Sequence, residues 1–265
     1  MNEIRIFSLY SGSSGNSFLI SAPCGSLLID AGKSARRLCQ SLQSVGVSPD
    51  DLRAVLITHE HSDHISALPV FLKKHPIPVH LPEGCFYKLE KEPAVFPCLH
   101  PHPAEYTEEI GGMRITSFAT PHDSHASVGY RIEIPLDDKK IFRLGYATDM
   151  GYVTDTVESH LTGCDAVILE SNHDPEMLRT GPYPYDLKRR IASRRGHLSN
   201  GDSALLASRL CASGTKALML AHLSAENNTP ELAYDECFCA VGDAGVKICI
   251  AHPEEITELP LEVSV

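Results

Sequence analysis

Ala54-Val55-Leu56-Ile57-Thr58-His59-Glu60-His61-Ser62-Asp63-His64 passes without a break from an apolar, strand-like run into a cluster of imidazoles and carboxylates. Side chains two apart share a face of an extended chain, so His59 and His61 aim at one point. Asp63 and His64 fall at the start of the next helix and reach a second point close by. Four nitrogen and oxygen donors within six residues suit Zn²⁺, Mn²⁺ or Fe at a hydrolytic site. A solvated polar loop would account for any one of these histidines, but not for their alternation at the mouth of an apolar strand.

Working outward, strand-like runs occur at 4–9, 17–21, 26–30, 54–57, 79–81, 113–119, 128–134, 141–147, 166–170, 217–220 and 246–251. Helical patterns occupy 34–45, 65–75, 152–161, 185–194, 199–213 and 230–241. Hairpin-like strands open the chain and helix alternates with strand later, which is α/β organisation. The Pro-rich residues 93–103 read as a surface excursion. No Gly/Ser linker, charge block or repeat interrupts the 265 residues, so a single domain over 1–265 is expected.

With 43% hydrophobic and 22% charged residues the composition is that of a folded soluble protein. The net charge of −11 gives no bulk attraction to a polyanion, so nucleic acid would need locally concentrated positive charge. Apolar runs fall short of the roughly 20 residues that cross a bilayer. Met1-Asn2-Glu3-Ile4-Arg5 lacks the regions of a signal peptide. No membrane association is expected, and a cytoplasmic location is. Nine cysteines with no Cys-x-x-Cys read as reduced thiols rather than a zinc-thiolate site.

The pattern His-x-His-x-Asp-His at His59, His61, Asp63 and His64 resembles the signature of the metallo-β-lactamase superfamily. That resemblance implies an α/β fold, the four-layer αββα sandwich, with a two-metal site at one edge between its sheets. Asp30, closing Leu27-Leu28-Ile29-Asp30, is then the carboxylate that supports the metal loop from behind. Asp149 in Ala147-Thr148-Asp149-Met150-Gly151 matches the carboxylate shared by both metals, and His222 the last ligand of the second. Pro121-His122-Asp123-Ser124-His125 offers two histidines, and spacing to Gly129-Tyr130 favours His122 over His125. The implied arrangement sets His59, His61 and His122 on one metal, Asp63, His64 and His222 on the other, and Asp149 between them.

Further stretches narrow the resemblance. Ser11-Gly12-Ser13-Ser14-Gly15-Asn16 is a small-residue loop rich in donors, able to serve as a tight turn or an anion cradle. With Glu170-Ser171-Asn172-His173-Asp174, Gly181-Pro182-Tyr183-Pro184-Tyr185, Gly196-His197-Leu198-Ser199-Asn200 and the run from His222 to Asn228, it resembles the YycJ-like (WalJ) group. Members of that group look like DNA exonucleases of the 5′ to 3′ type. The implied substrate contacts are Ser14, Asn16, Asn172, His173, His197 and Asn200, to which the basic cluster at 188–195 adds Arg194 and Arg195.

Independently of that resemblance, Lys188, Arg189, Arg190, Arg194 and Arg195 place five positive charges in eight residues. If 185–194 is helical, Arg190 and Arg194 share a face and form a ridge for phosphates. Two divalent ions, Zn²⁺ or Mn²⁺ with Fe also compatible, would activate water for in-line attack on phosphorus. Asp63 or Asp149 is the candidate proton acceptor, and His197 the candidate donor to the leaving oxygen or to a phosphate. The same chemistry would hydrolyse a small ester, a lactone or a cyclic phosphodiester. A non-catalytic nucleic-acid-binding module is a third reading, which predicts missing ligands, and none is missing.

Overall fold

The computed structural model describes residues 3–136, 140–242 and 245–261. Among them the strands are β1 (Arg5–Tyr10), β2 (Ser17–Ala22), β3 (Gly25–Ile29), β4 (Leu52–Leu56), β5 (Val79–Pro82), β6 (Leu99–His102), β7 (Thr107–Ile110), β8 (Met113–Ala119), β9 (Val128–Pro135), β10 (Ile141–Ala147), β11 (Ala166–Glu170), β12 (Ala217–Ala221), β13 (Lys247–Ile250) and β14 (Thr257–Glu258). The α-helices are α1 (Ala35–Ser44), α2 (Ser62–Ile65), α3 (Leu68–Lys74), α4 (Phe86–Leu89), α5 (Asp155–Leu161), α6 (Pro175–Thr180), α7 (Tyr185–Ile191), α8 (Asn200–Ala212) and α9 (Pro230–Val241).

Two mixed sheets form, ordered β14-β1-β2-β3-β4-β5-β6 and β13-β12-β11-β10-β9-β8-β7. Along β3, Leu27 and Ile29 enter the layer between the sheets while Leu28 points the other way; along β4, Ala54 and Leu56 point in and Val55 out. Apolar residues on both faces are what a doubly covered sheet requires. The middle layer joins Phe18, Ile29 and Leu56 to Ile115, Tyr130, Tyr146 and Met219. Outside the first sheet lie Leu38 and Leu42 of α1 with Phe71 and Leu72 of α3. Outside the second lie Leu161 of α5, Leu206 and Leu210 of α8, and Cys237 of α9. The product is an α/β sandwich of four layers, αββα.

Strand polarity positions the site. β3 to β6 run parallel, as do β10 to β13, and β8 runs with β10 because both are antiparallel to β9. The carboxyl ends of β3, β4, β8, β10, β11 and β12 each release a polar residue, the place where α/β sheets hold ligands. No helix among the described residues is long and apolar enough to cross a membrane.

Several sequence expectations need correction. The helix expected over 65–75 is interrupted: α2 ends at Ile65 and α3 begins at Leu68, with the Ala67 N–H between them bonded to Ala31 O, outside the helix, at 2.9 Å. Residues 93–103 contain β6, whose Pro101 is tolerated because β6 is an edge strand. The helix expected over 185–194 stops at Ile191, whose carbonyl accepts the His197 N–H at 2.9 Å. Arg190 and Arg194 therefore do not share a helix face. Helix α6 went unseen although Asp174 caps it, accepting the Met177 N–H at 2.7 Å, with Pro175 at its first position.

Candidate metal centre

The site begins with backbone turns at strand ends. Asp30, Asp149 and His222 each follow a strand in the left-handed region, at φ of 59°, 56° and 58°. Such a conformation costs a non-glycine residue about 1 kcal/mol or more and persists where surroundings fix it. At His222 the surroundings are visible. Ser11 Oγ accepts its N–H at 2.8 Å, and the Asn172 side-chain amide donates to its carbonyl at 2.8 Å.

These turns bring donors from distant segments together. Ligand-type atoms of His59, His61 and His122 lie within 4.8 Å of one another, as do those of Asp63, His64 and His222. Asp149 joins His59 and His64 in one such group, and Glu170, His197 and His222 in another. The rings of His59, His61 and His122 form a near-equilateral triangle, with centroids 4.5, 5.0 and 5.1 Å apart. Asp149 reaches both sides, 3.6 Å from His64 Nε2 and 3.9 Å from His122 Nε2.

Outer contacts fix the tautomers. Thr58 Oγ1 donates to Asp30 Oδ2 at 2.9 Å and thereby accepts from His59 Nδ1 at 3.0 Å. Asp30 Oδ2 also holds His64 Nδ1 at 2.8 Å. Gly196 O holds His122 Nδ1 at 3.1 Å, and Glu170 Oε1 holds His222 Nδ1 at 3.0 Å. Each imidazole is left with its Nε2 lone pair facing inward, the form a metal takes. His59 Nε2, His122 Nε2, His222 Nε2 and Asp149 Oδ2 are buried with no hydrogen-bond partner. One orphaned buried polar atom costs on the order of 1–3 kcal/mol. Four in a single cluster fit a divalent cation, which would satisfy them together.

The electrostatics divide the cluster: burial keeps two imidazoles neutral, while the carboxylates around His222 favour a proton there, a positive charge that a bound cation would replace. Burial, reinforced by His64, holds His59 well below the usual imidazole range, and burial also lowers His122. Both are therefore neutral, as ligands must be. Burial opposes charge on His222, but Asp149, Asp63 and Glu170 outweigh it and hold its pKa at about 10. Burial likewise opposes charge on Asp149, which His222 and His64 keep well below the usual carboxylate range.

His125 stands apart from these groups. Its side chain is 64% exposed and lies 3.1 Å from Glu60 Oε1 and 3.1 Å from Tyr87 Oη. Glu170 was not anticipated. It is fully buried, lies 2.8 Å from His197 Nδ1, and accepts the N–H groups of Met150 and Leu198 at 2.9 and 3.1 Å. Burial opposes its charge, but His197 and His222 hold it down at about 2. Thr58 was likewise unassigned, although it sits inside the cluster sequence.

The expected substrate contacts are dispersed. Ser14 is exposed on its loop. Asn16 is buried, its amide nitrogen 3.1 Å from His64 Nε2 and 3.3 Å from Asp63 Oδ2, which makes it a brace for the cluster. Asn172 and His197 line a pocket at the site. One expectation is corrected outright. Asn200 is 1% exposed, and its amide is spent on Ser171 at 2.7 Å and Asn228 at 2.8 and 2.9 Å. His173 is buried and bridged to Ser199. Asn200 ties loops together and its amide is spent there, while His173 is held by its backbone and its buried Nδ1 has no hydrogen-bond partner.

The basic ridge is also taken apart. Lys188 Nζ caps the carbonyls of Arg179 and Gly181 at 2.9 and 2.7 Å. Arg189 lies over Tyr185, and Arg194 over Tyr152 at 4.1 Å. Arg195 donates to His122 O at 3.2 Å. Arg190 alone of the five lines the hollows beside the cluster, paired at 2.5 Å with Asp123.

The profile of the Beta-lactamase superfamily domain matches residues 26–223. Exodeoxyribonuclease WalJ of Streptococcus pneumoniae serotype 2 is 39% identical over 230 residues, covering 85% of this chain and 84% of that protein. Exodeoxyribonuclease YycJ of Bacillus anthracis is 35% identical over 227 residues, with 85% and 84% covered. Among solved structures, the metallo-β-lactamase fold protein YhfI from Bacillus subtilis superposes with a TM-score of 0.71 at 18% identity, over 97% of this chain and 100% of that one. Human tRNase Z, short form, gives 0.65 at 17%, over 97% and 100%. At such identities the two structures speak for the fold alone. The chain belongs to the beta-lactamase superfamily and, within it, to the metallo-β-lactamase-fold group of the WalJ and YycJ proteins.

Proposed function

We propose that this protein is a metal-dependent phosphodiesterase acting on DNA as an exonuclease of 5′ to 3′ direction. One observation carries the reading: orphaned imidazole and carboxylate atoms converge beside a groove lined by His61, Asp63, Lys88 and Arg190. The names of two relatives at 39% and 35% identity support the substrate class. A cytoplasmic location agrees with nine free cysteines.

Two divalent cations, Zn²⁺ or Mn²⁺ with Fe also compatible, would supply Lewis-acid neutralisation of phosphate oxygens and a more acidic water. His59, His61 and His122 would hold one, Asp63, His64 and His222 the other, with Asp149 between. The protein's own groups do the rest. Asp63 faces the groove, where its carboxyl is placed to receive the proton released by the attacking water; His222 and His64 outweigh the burial that opposes its charge and keep it ionised, so the proton is held only in passage. Acting as an imidazolium, His197 keeps its Nδ1 proton in a hydrogen bond to Glu170 and delivers its Nε2 proton to the departing ester oxygen. Water oxygen joins phosphorus, the P–O ester bond breaks, and the leaving oxygen departs as an alcohol.

The test uses DNA and RNA labelled at either end, with Mn²⁺ or Zn²⁺ restored after chelation, beside a generic phosphodiester and a lactone. Mononucleotides released from one DNA end are expected. His59→Ala and Asp149→Ala should abolish hydrolysis while the proteins stay folded by circular dichroism. Full activity in either variant, or hydrolysis of the lactone alone, would overturn the reading.

A further inference from the structure

The stretch Gly181-Pro182-Tyr183-Pro184-Tyr185 has no part in the chemistry above, yet it is held firmly at the edge of the site. Gly181 donates to Met177 O at 2.7 Å, and its carbonyl accepts Lys188 Nζ at 2.7 Å. A Cβ at Gly181 would come 2.6 Å from Met177 O and 2.8 Å from Asn227 Oδ1, so the loop lies closer than a larger residue allows. Pro182 and Pro184 restrict φ on both sides of Tyr183. The backbone that carries a half-buried aromatic ring is thus set before any ligand arrives, which lowers the entropic cost of binding.

Tyr183 and Leu187 supply a flat apolar wall to a pocket of about 230 Å³, with Asn172, Ser224 and His197 among its polar lining. On the other side of the Arg190–Asp123 pair lies a larger hollow of about 440 Å³, lined by the carboxylates of Glu60 and Asp63, by His61 and His125, and by Lys88, which with Arg190 supplies its Lys/Arg charge. The pair, which lines both, separates a compartment holding a ring and hydrogen-bonding groups from one lined by further charged side chains. A nucleotide is divided in the same way, into a flat uncharged base with polar edges and an anionic phosphate.

We propose that the Tyr183 pocket receives the base of the nucleotide adjoining the cleaved phosphate, stacked on the Tyr183 ring, while the phosphates of the strand follow the Lys88 side. This rests on the phosphodiesterase reading given above. Stacking on an aromatic side chain tolerates any base, so the pocket recognises a nucleotide as such and reads no sequence.

The experiment compares wild type, Tyr183→Phe, Tyr183→Ala and Leu187→Ala, each metal-loaded and checked for an unchanged melting temperature. Binding of a deoxynucleoside monophosphate is measured against deoxyribose phosphate, which lacks the base. Hydrolysis is measured on DNA ending in an ordinary or an abasic nucleotide. Wild type and Tyr183→Phe should prefer the base-bearing ligand at least about fivefold, as stacking predicts. In Tyr183→Ala, and partly in Leu187→Ala, both ratios should collapse toward one. Ratios unchanged in Tyr183→Ala overturn the pocket, even if DNA is degraded normally. Base preference that depends on Tyr183 in a protein that degrades no DNA upholds the pocket and overturns the nuclease reading instead.

Discussion

Glu170 accepts the Nδ1 proton of His222 at 3.0 Å from the end of the neighbouring parallel strand, where Glu170 is in register with Ala221. This one hydrogen bond decides which nitrogen of His222 faces the cluster. Glu170→Gln puts an amide where the carboxylate accepted protons, so His222 and His197 lose their orientation together. Metal affinity is expected to fall about 10- to 100-fold, the usual cost of losing such a partner. Competition titration against a chelator reads it, and excess metal should restore part of the hydrolysis. Unchanged affinity would show that Glu170 does not orient the ligand.

Why Glu170 escaped notice while its neighbours did not is a matter of range. His59, His61, Asp63 and His64 announce themselves because two-residue alternation meets a helix start within one short segment. Glu170 merely ends an apolar strand, and its importance arises only when β12 and the His197 loop fold against it. The four layers were legible because Leu27, Leu28 and Ile29 are apolar on both faces. β7 and β14 were not, since Thr-Glu-Glu-Ile and Thr-Glu carry little apolar signal. The cations show the opposite failure: their clustering is plain, but the acceptors that claim Lys188, Arg194 and Arg195 come from chain turns and from Tyr152 and His122.

That redistribution makes a measurable distinction. Arg190 is 57% exposed on its side chain and stands between both hollows. Arg190→Gln should lower the dependence of log DNA affinity on log salt by about one unit of slope. Arg194→Gln, whose guanidinium lies on Tyr152, should leave the slope nearly as it is. Equal slopes for both variants would return the phosphate contact to the loop after α7.

Gly32 fixes the distance between the first strand-end loop and the cluster helix. A Cβ there would lie 1.9 Å from Asp63 O and 2.6 Å from Asn16 N, both backbone atoms. Neither can withdraw freely, because the Asn16 N–H bonds Asp63 O at 2.8 Å. Gly32→Ala is expected to destabilise by about 3 kcal/mol or more, about 2–4 °C of melting temperature per kcal/mol for a chain of this size. Metal affinity should fall as well, because the Asp63 peptide must move. A folded variant binding metal normally would refute the coupling.

A second group of histidines, away from the metal centre, sets a pH dependence of its own. His80 on β5 stacks between His100 and His102 of β6, with both centroids 5.1 Å away, and its Nδ1 lies 2.9 Å from His102 Nε2. Burial first, then His102 and His100, presses the His80 pKa down to about 4; Glu83 and Glu108 sit near His102 and oppose its own lowering. The unfolded chain, with His80 at its ordinary value near 6.5, therefore binds more protons than the folded one between pH 4 and 6.5. Stability rises with pH across that window, is complete above 6.5, and is lost as the pH falls toward 4. Allowing for solvent at the open side of the stack, the loss should be about 1–2 kcal/mol. His80→Phe keeps a ring in the stack but cannot titrate. Urea unfolding at pH 4.5 and 7.5 should show a smaller stability difference in the variant than in wild type, and an equal difference would place the acid sensitivity elsewhere.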